Sequence, residues 1–101
     1  GLVLEPAALR TLWLVGLPQG AGGQVARGRL LRRAAGGASG DEEMAAWTIA
    51  LDAPTPLCAA LPVGGYELDV VHPDGGFQRG RFLVPDLTPT FRAIDVEMIA
   101  Q

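Results

Sequence analysis

An all-β fold is predicted, specifically an antiparallel Greek-key-type β-sandwich of about seven short strands, and three observations predict it. Runs of five to ten residues, mostly rich in β-branched, aromatic and leucine side chains, recur along the 101 residues, each closed by a stretch of Gly, Pro, Asp or Ser. Three of these runs alternate with a period of two, as strands with one buried face do. One pair of runs, around a Pro-Asp-Gly turn, has a register that satisfies its charges and its rings together.

The first run, Leu9 to Gly16, ends in Leu17-Pro18-Gln19-Gly20, and the second, Gln24 to Arg33, ends in a Gly- and Ala-rich stretch. The third, Ala45 to Asp52, places Trp47, Ile49 and Leu51 on one face. A short fourth run, Leu57 to Leu61, stops at Pro62-Val63-Gly64-Gly65. Tyr66 to His72 follows, with Tyr66, Leu68 and Val70 aligned, then Phe77 to Val84, then Phe91 to Ile99 with Ile94, Val96 and Met98 aligned opposite Asp95 and Glu97. Two stretches admit a helix as well as a strand. Leu9, Leu12 and Trp13 after Pro6 fit a short helix over 6–13, and Ser39-Gly40-Asp41-Glu42 has the form of a capping box for a helix over 40–47. Tyr66, Trp47, Leu68, Val70, Ile94 and Val96 are the expected core.

The hairpin around His72-Pro73-Asp74-Gly75-Gly76 carries the sharpest local expectation. Pairing Glu67 with Arg81, Asp69 with Arg79, Val71 with Phe77 and Tyr66 with Phe82 puts two ion pairs on one face and two rings on the other. A shift by one residue would send charges or rings to the wrong side. The turn is then the three residues Pro73-Asp74-Gly75, with glycine free to take the left-handed conformation.

Size and composition bound the rest. One domain over residues 1–101 is expected, standing alone or within a longer chain. A single cysteine excludes an internal disulfide and a cysteine-based zinc cluster, and no apolar run is long enough for a membrane-spanning helix. All eight basic residues are arginine, a bias that follows GC-rich codons. Charged residues make up 19% against a usual ~25%, and the apolar types reach 49%. A chain this short leaves much of its surface exposed, so part of that apolar excess is expected outside, where it marks a protein partner or a second copy. The net charge of −3 argues against nucleic acid as that partner. The compartment is not legible.

Leu61-Pro62-Val63-Gly64-Gly65-Tyr66-Glu67-Leu68-Asp69-Val70 resembles the L-P-x-G-x-Y-x-L-x-V signature of immunoglobulin-like and fibronectin-like sandwiches and of prealbumin-like, carboxypeptidase-regulatory-like domains. The resemblance spans residues 57–84 and concerns the fold. It implies a tyrosine corner, with the Tyr66 ring in the core and its hydroxyl bonded to backbone a few residues upstream. It also implies an accessory role, bracing or spacing other domains or binding a partner.

Candidate chemistry is sparse. Arg27, Arg29 and Arg33 fall on one side of the second run and could hold an anionic ligand or an acidic partner, since the guanidinium fork matches carboxylates and phosphates. The competing reading is a solvated face, or a charged edge that blunts strand pairing. Asp41-Glu42-Glu43 lacks the alternating oxygen ligands of a calcium site, and no metal is expected. His72 and Cys58 are each alone of their kind, without a triad or a metal trio. They read as a turn residue and a small buried hydrophobe. The glycine groups carry no phosphate-loop signature. No cofactor and no enzymatic activity are expected; the leading expectation is a non-catalytic module that binds a protein or itself, and the alternative is an anion-binding domain.

Overall fold

Alternation and turn chemistry set the architecture. The computed structural model describes residues 5–20, 22–34, 41–53, 56–88 and 93–101. They form β1 (Ala8–Val15), β2 (Val25–Arg32), β3 (Glu42–Ala50), β4 (Leu57–Leu61), β5 (Gly64–Val71), β6 (Phe77–Val84), β7 (Ile94–Glu97) and β8 (Ile99–Ala100). No helix occurs among the described residues. Each expected run corresponds to a strand, and the last is divided at Met98 into β7 and β8. Both stretches that admitted a helix are strands, β1 over most of 6–13 and β3 from Glu42; Ser39 and Gly40 lie outside the described residues.

Two sheets pack together. The first has the order β4-β1-β7 and the second β3-β2-β5-β6-β8. β1 pairs antiparallel with β4 but parallel with β7, so the sandwich is not antiparallel throughout as expected: β7 reaches β1 by a long-range return instead of a hairpin. Between the sheets lie Leu12, Leu30, Leu61, Leu68, Val70 and Val96, all fully buried. Trp47 and Ile94, expected in the core, are only half-buried and pack against it from the rim. The reason is position: each sits on a strand at the edge of its sheet, where no neighbour covers the outer flank. At Gly80 on β6, a Cβ would lie 2.6 Å from Val96 Cγ1 and 2.9 Å from the Glu97 carbonyl oxygen. That missing side chain is what lets β7 approach β6.

The β5–β6 hairpin adopts the expected register in every pair, including Glu67 with Arg81 and Tyr66 with Phe82. Gly75 N–H donates to His72 O at 3.0 Å and His72 N–H to Gly76 O at 2.7 Å, closing a three-residue turn with Gly75 at φ +89°. The Tyr66 and Phe82 rings stack with centroids 5.3 Å apart.

Tyr66 makes the corner that the Leu-Pro-x-Gly-x-Tyr stretch implied. Its ring is fully buried and its hydroxyl donates to Pro62 O at 2.6 Å. Burial pushes the phenol above its ordinary value near 10. A folded-state value above the unfolded one means that this contribution to stability is complete below about pH 10 and is lost as pH rises through the folded value. Tyr66 is the only tyrosine, so a phenolate absorbance titration reports on it alone. The native protein should titrate above the usual midpoint, and the urea-unfolded chain should return to about 10; a native midpoint at the ordinary value would contradict the buried corner.

Candidate functional site

The two outer faces of the sandwich differ in kind. On the five-stranded sheet, the outward residues form a ladder of charges. Arg79 Nε lies 2.9 Å from Asp69 Oδ1 and 3.3 Å from Glu67 Oε1, and Arg81 Nε lies 3.1 Å from Glu67 Oε1. Arg29 Nε lies 3.0 Å from Glu43 Oε1. Cross-strand pairing of opposite charges makes this face compatible with water and helps to set the register.

The three arginines expected to act together are only partly brought together. Arg27 and Arg29 project outward from β2 and line an open groove of about 500 Å³ with Thr48, Val71 and Phe77. Arg29 is engaged by Glu43, whereas Arg27 has no partner among the described residues. Arg33 lies past the end of β2, with its backbone N–H on Gly65 O, and does not line the groove. The reading of these residues as an edge guard does not hold, because β2 is internal, between β3 and β5. Its neighbour Arg32 turns to the end of the sandwich, donating to both carboxylate oxygens of Glu5 at 2.7 and 2.6 Å and to Val63 O. Those hydrogen bonds hold the Glu5 carboxyl below its usual range.

The outer face of the three-stranded sheet carries no such ladder. Leu9, Thr11, Trp13 and Val15 point outward along the central strand β1, and Leu9, Trp13 and Val15 are 71%, 44% and 47% exposed. The register sets Cys58 beside Thr11 and Ala60 beside Leu9 on one flank, and Asp95 beside Trp13 and Glu97 beside Val15 on the other. Asp95 and Glu97 have no ion-pair partner among the described residues. Cys58, expected to be buried, is exposed; Leu57, Ala59 and Leu61 occupy the inward positions of β4, and strict alternation sends Cys58 out. β1 is therefore largely apolar on both faces, the pattern of a strand covered on both sides. That pattern was legible as the uninterrupted run Leu12-Trp13-Leu14-Val15, yet a run without alternation does not say which residues face outward.

Three buried polar side chains, Gln78, His72 and Arg10, had no sequence signal. Gln78 is 8% exposed; its amide nitrogen donates to Gly16 O at 3.0 Å and Met98 O at 3.3 Å, and its oxygen accepts from His72 Nε2 at 2.6 Å. The amide donates to two carbonyls, so its oxygen is left to accept and the network assigns the His72 proton to Nε2. His72 Nδ1 is buried without a partner in the described structure. His72 is thus a buried member of a clip between the sheets, more than the turn residue its place beside Pro73 suggests. At the same end, Gly16, Pro18, Leu51, Pro73 and Phe77 border an open depression of about 510 Å³. Arg10, 6% exposed on the inner face of β1, donates to Asp86 O at 2.6 Å and Thr88 O at 3.2 Å and ties down the segment that leaves β6.

Among the described residues no group of three His, Cys, Asp or Glu side chains could hold a metal, and no helix is long and apolar enough to cross a membrane. Compared with protein-family models, with curated proteins and with solved structures, the chain matches none.

Proposed function

We propose that this chain is a non-catalytic accessory module that makes a protein contact, and that its Greek-key sandwich is of the prealbumin-like kind. The observation that carries the functional reading is the uncovered apolar stripe Leu9-Trp13-Val15 on the three-stranded sheet. Exposed contiguous apolar surface with an aromatic at its centre is the usual mark of a docking site, and Trp is among the residues that most often dominate binding energy. Two features support the fold reading. β5 returns to lie beside β2 after β3 and after β4, which crosses to the other sheet, and this return supports a Greek-key reading. β1 and β2 lie in different sheets, unlike the immunoglobulin order in which the first two strands pair, and the Tyr66 corner is common to both kinds of sandwich.

The anion-binding alternative rests on Arg27 and its groove, since Arg29 already has a carboxylate and Arg33 lies elsewhere. The stripe is favoured over it because the groove offers a single guanidinium unengaged among the described residues.

A photo-crosslinking residue at position 11, in the middle of the stripe, should form protein adducts in native cell extract, whereas one at exposed Asp52 should not. The absence of any position-dependent adduct would defeat the reading. Trp13→Ser should leave the unfolding free energy within about 0.5 kcal/mol of the parent, as surface substitutions do, and should abolish the adduct. A stability loss of a few kcal/mol in denaturant unfolding would instead assign Trp13 to the fold.

A further inference from the structure

We propose that the two outer faces of this sandwich are complementary to each other, and that copies of the chain stack head to tail. The Trp13 and Asp95 face of one copy would sit on the Arg27 groove of the next. The proposal rests on the protein-contact reading above and specifies its partner as a second copy.

Charge complementarity carries the argument. The stripe face presents one aromatic, Trp13, 44% exposed, directly beside Asp95, which has no ion-pair partner among the described residues, with Val15 and Glu97 repeating the arrangement one pair further on. The opposite face presents an open groove beside Arg27, a guanidinium without a partner among the described residues, flanked by Val25 and Val71, which are 44% and 47% exposed; Glu43 and Asp69 also line it and are held by Arg29 and Arg79. Val71 is the cross-strand neighbour of Arg27, as Asp95 is of Trp13. Among the described residues, therefore, one face carries carboxylates without a cation beside an exposed aromatic, and the other carries one guanidinium without a carboxylate beside a recess. The remaining charges of the five-stranded face are already paired among themselves and do not compete.

Pairing of the stripe face with itself is disfavoured by the same bookkeeping of charge. Among its described residues there is no cation, since Arg10 points inward. Two such faces together would enclose four carboxylates with no counter-charge among the described residues, and like charges across an interface suppress association. Head-to-tail contact also places a three-stranded sheet on a five-stranded one, the arrangement already found inside the molecule, at the usual ~10 Å spacing. Such a contact is heterologous, so it does not close on itself as a two-fold dimer does, and growth continues beyond two copies unless the rotation forms a ring.

Sedimentation velocity of the purified chain over a wide concentration range tests this. Species larger than a dimer should appear as concentration rises and should diminish with added salt, which screens the Arg27 to Asp95 pair. Trp13→Glu blocks one face and Arg27→Glu the other, and each alone should stay monomeric. Mixed in equal amounts, the two should form a dimer and nothing larger, because each supplies the face that the other lacks. Val15→Glu serves as a second block of the stripe, and unchanged circular dichroism establishes that the variants are folded. A parent chain that remains monomeric throughout would overturn the stacking, while the crosslinking at position 11 separately decides whether the stripe meets some other protein. A closed dimer lost on Trp13→Glu but retained on Arg27→Glu would also overturn it, in favour of self-pairing of the stripe.

Discussion

Tyr66→Ala is expected to cost about 3–5 kcal/mol of unfolding free energy, and Tyr66→Phe about 1–3 kcal/mol. The larger change removes a fully buried ring that stacks on Phe82, in a core that includes Leu68. The smaller one isolates the corner itself. Phe keeps the ring and its packing but leaves Pro62 O, bonded at 2.6 Å in the parent, without its donor. Urea unfolding of the two variants separates packing from hydrogen bonding at one position. A Phe variant as stable as the parent would show that the Pro62 carbonyl finds water and that the corner contributes only through the ring.

Gln78→Leu is expected to be the second most damaging of these changes, at about 2–4 kcal/mol, although leucine has nearly the same volume and is more apolar. Gln78 joins the end of β1 through Gly16 O, the break between β7 and β8 through Met98 O, and the end of β5 through His72 Nε2. Replacing one member leaves the buried Met98 O and His72 Nε2 and the part-buried Gly16 O without this partner, and the buried groups incur a desolvation cost. Denaturant unfolding with an unchanged slope and a lowered midpoint is the expected result. A midpoint equal to that of the parent would mean that the clip is satisfied by water and does not hold the sheets together. His72→Gln tests the same clip from its other side and should cost less, because Gln78 would keep both carbonyls.

The parts of the fold governed by short-range rules were legible in the residues. The β5–β6 register followed from charges and rings that agree on one pairing, and the Tyr66 corner from a Leu-Pro-x-Gly-x-Tyr stretch whose glycines permit the approach. Alternation located Leu68, Val70 and Val96 inside. Where alternation fails, the reading fails with it. β1 is apolar on both sides, so nothing local distinguishes inward Leu12 from outward Trp13, and a helix fitted as well. Trp47 alternates correctly yet lies on an edge strand, and edge position is decided by which strands pair over long range, not by neighbours in the chain. Cys58 lies in the wholly apolar run Leu57 to Leu61, where nothing local says which parity of the alternation faces inward. Gln78 and Arg10 are buried because partners that include Gly16, 62 residues from Gln78, and Asp86 and Thr88, 76 and 78 residues from Arg10, supply the hydrogen bonds that polar groups need inside. The arginine cluster was real as a spacing but is divided by what surrounds it, with Glu43 on Arg29 and the end of β2 before Arg33.

Cys58 offers a probe of the central claim, since this single thiol lies on the same outer face as the stripe, beside Thr11, with Thr11 Oγ1 3.8 Å from Sγ. The measurement is the rate at which a thiol reagent labels the dilute, folded protein in the absence of denaturant. An uncovered three-stranded face predicts one equivalent modified about as fast as a free model thiol, and slower labelling as rising protein concentration or a bound partner covers that face. Labelling that waits for global unfolding at every protein concentration would place the thiol inside and contradict the assignment of this face as the docking surface.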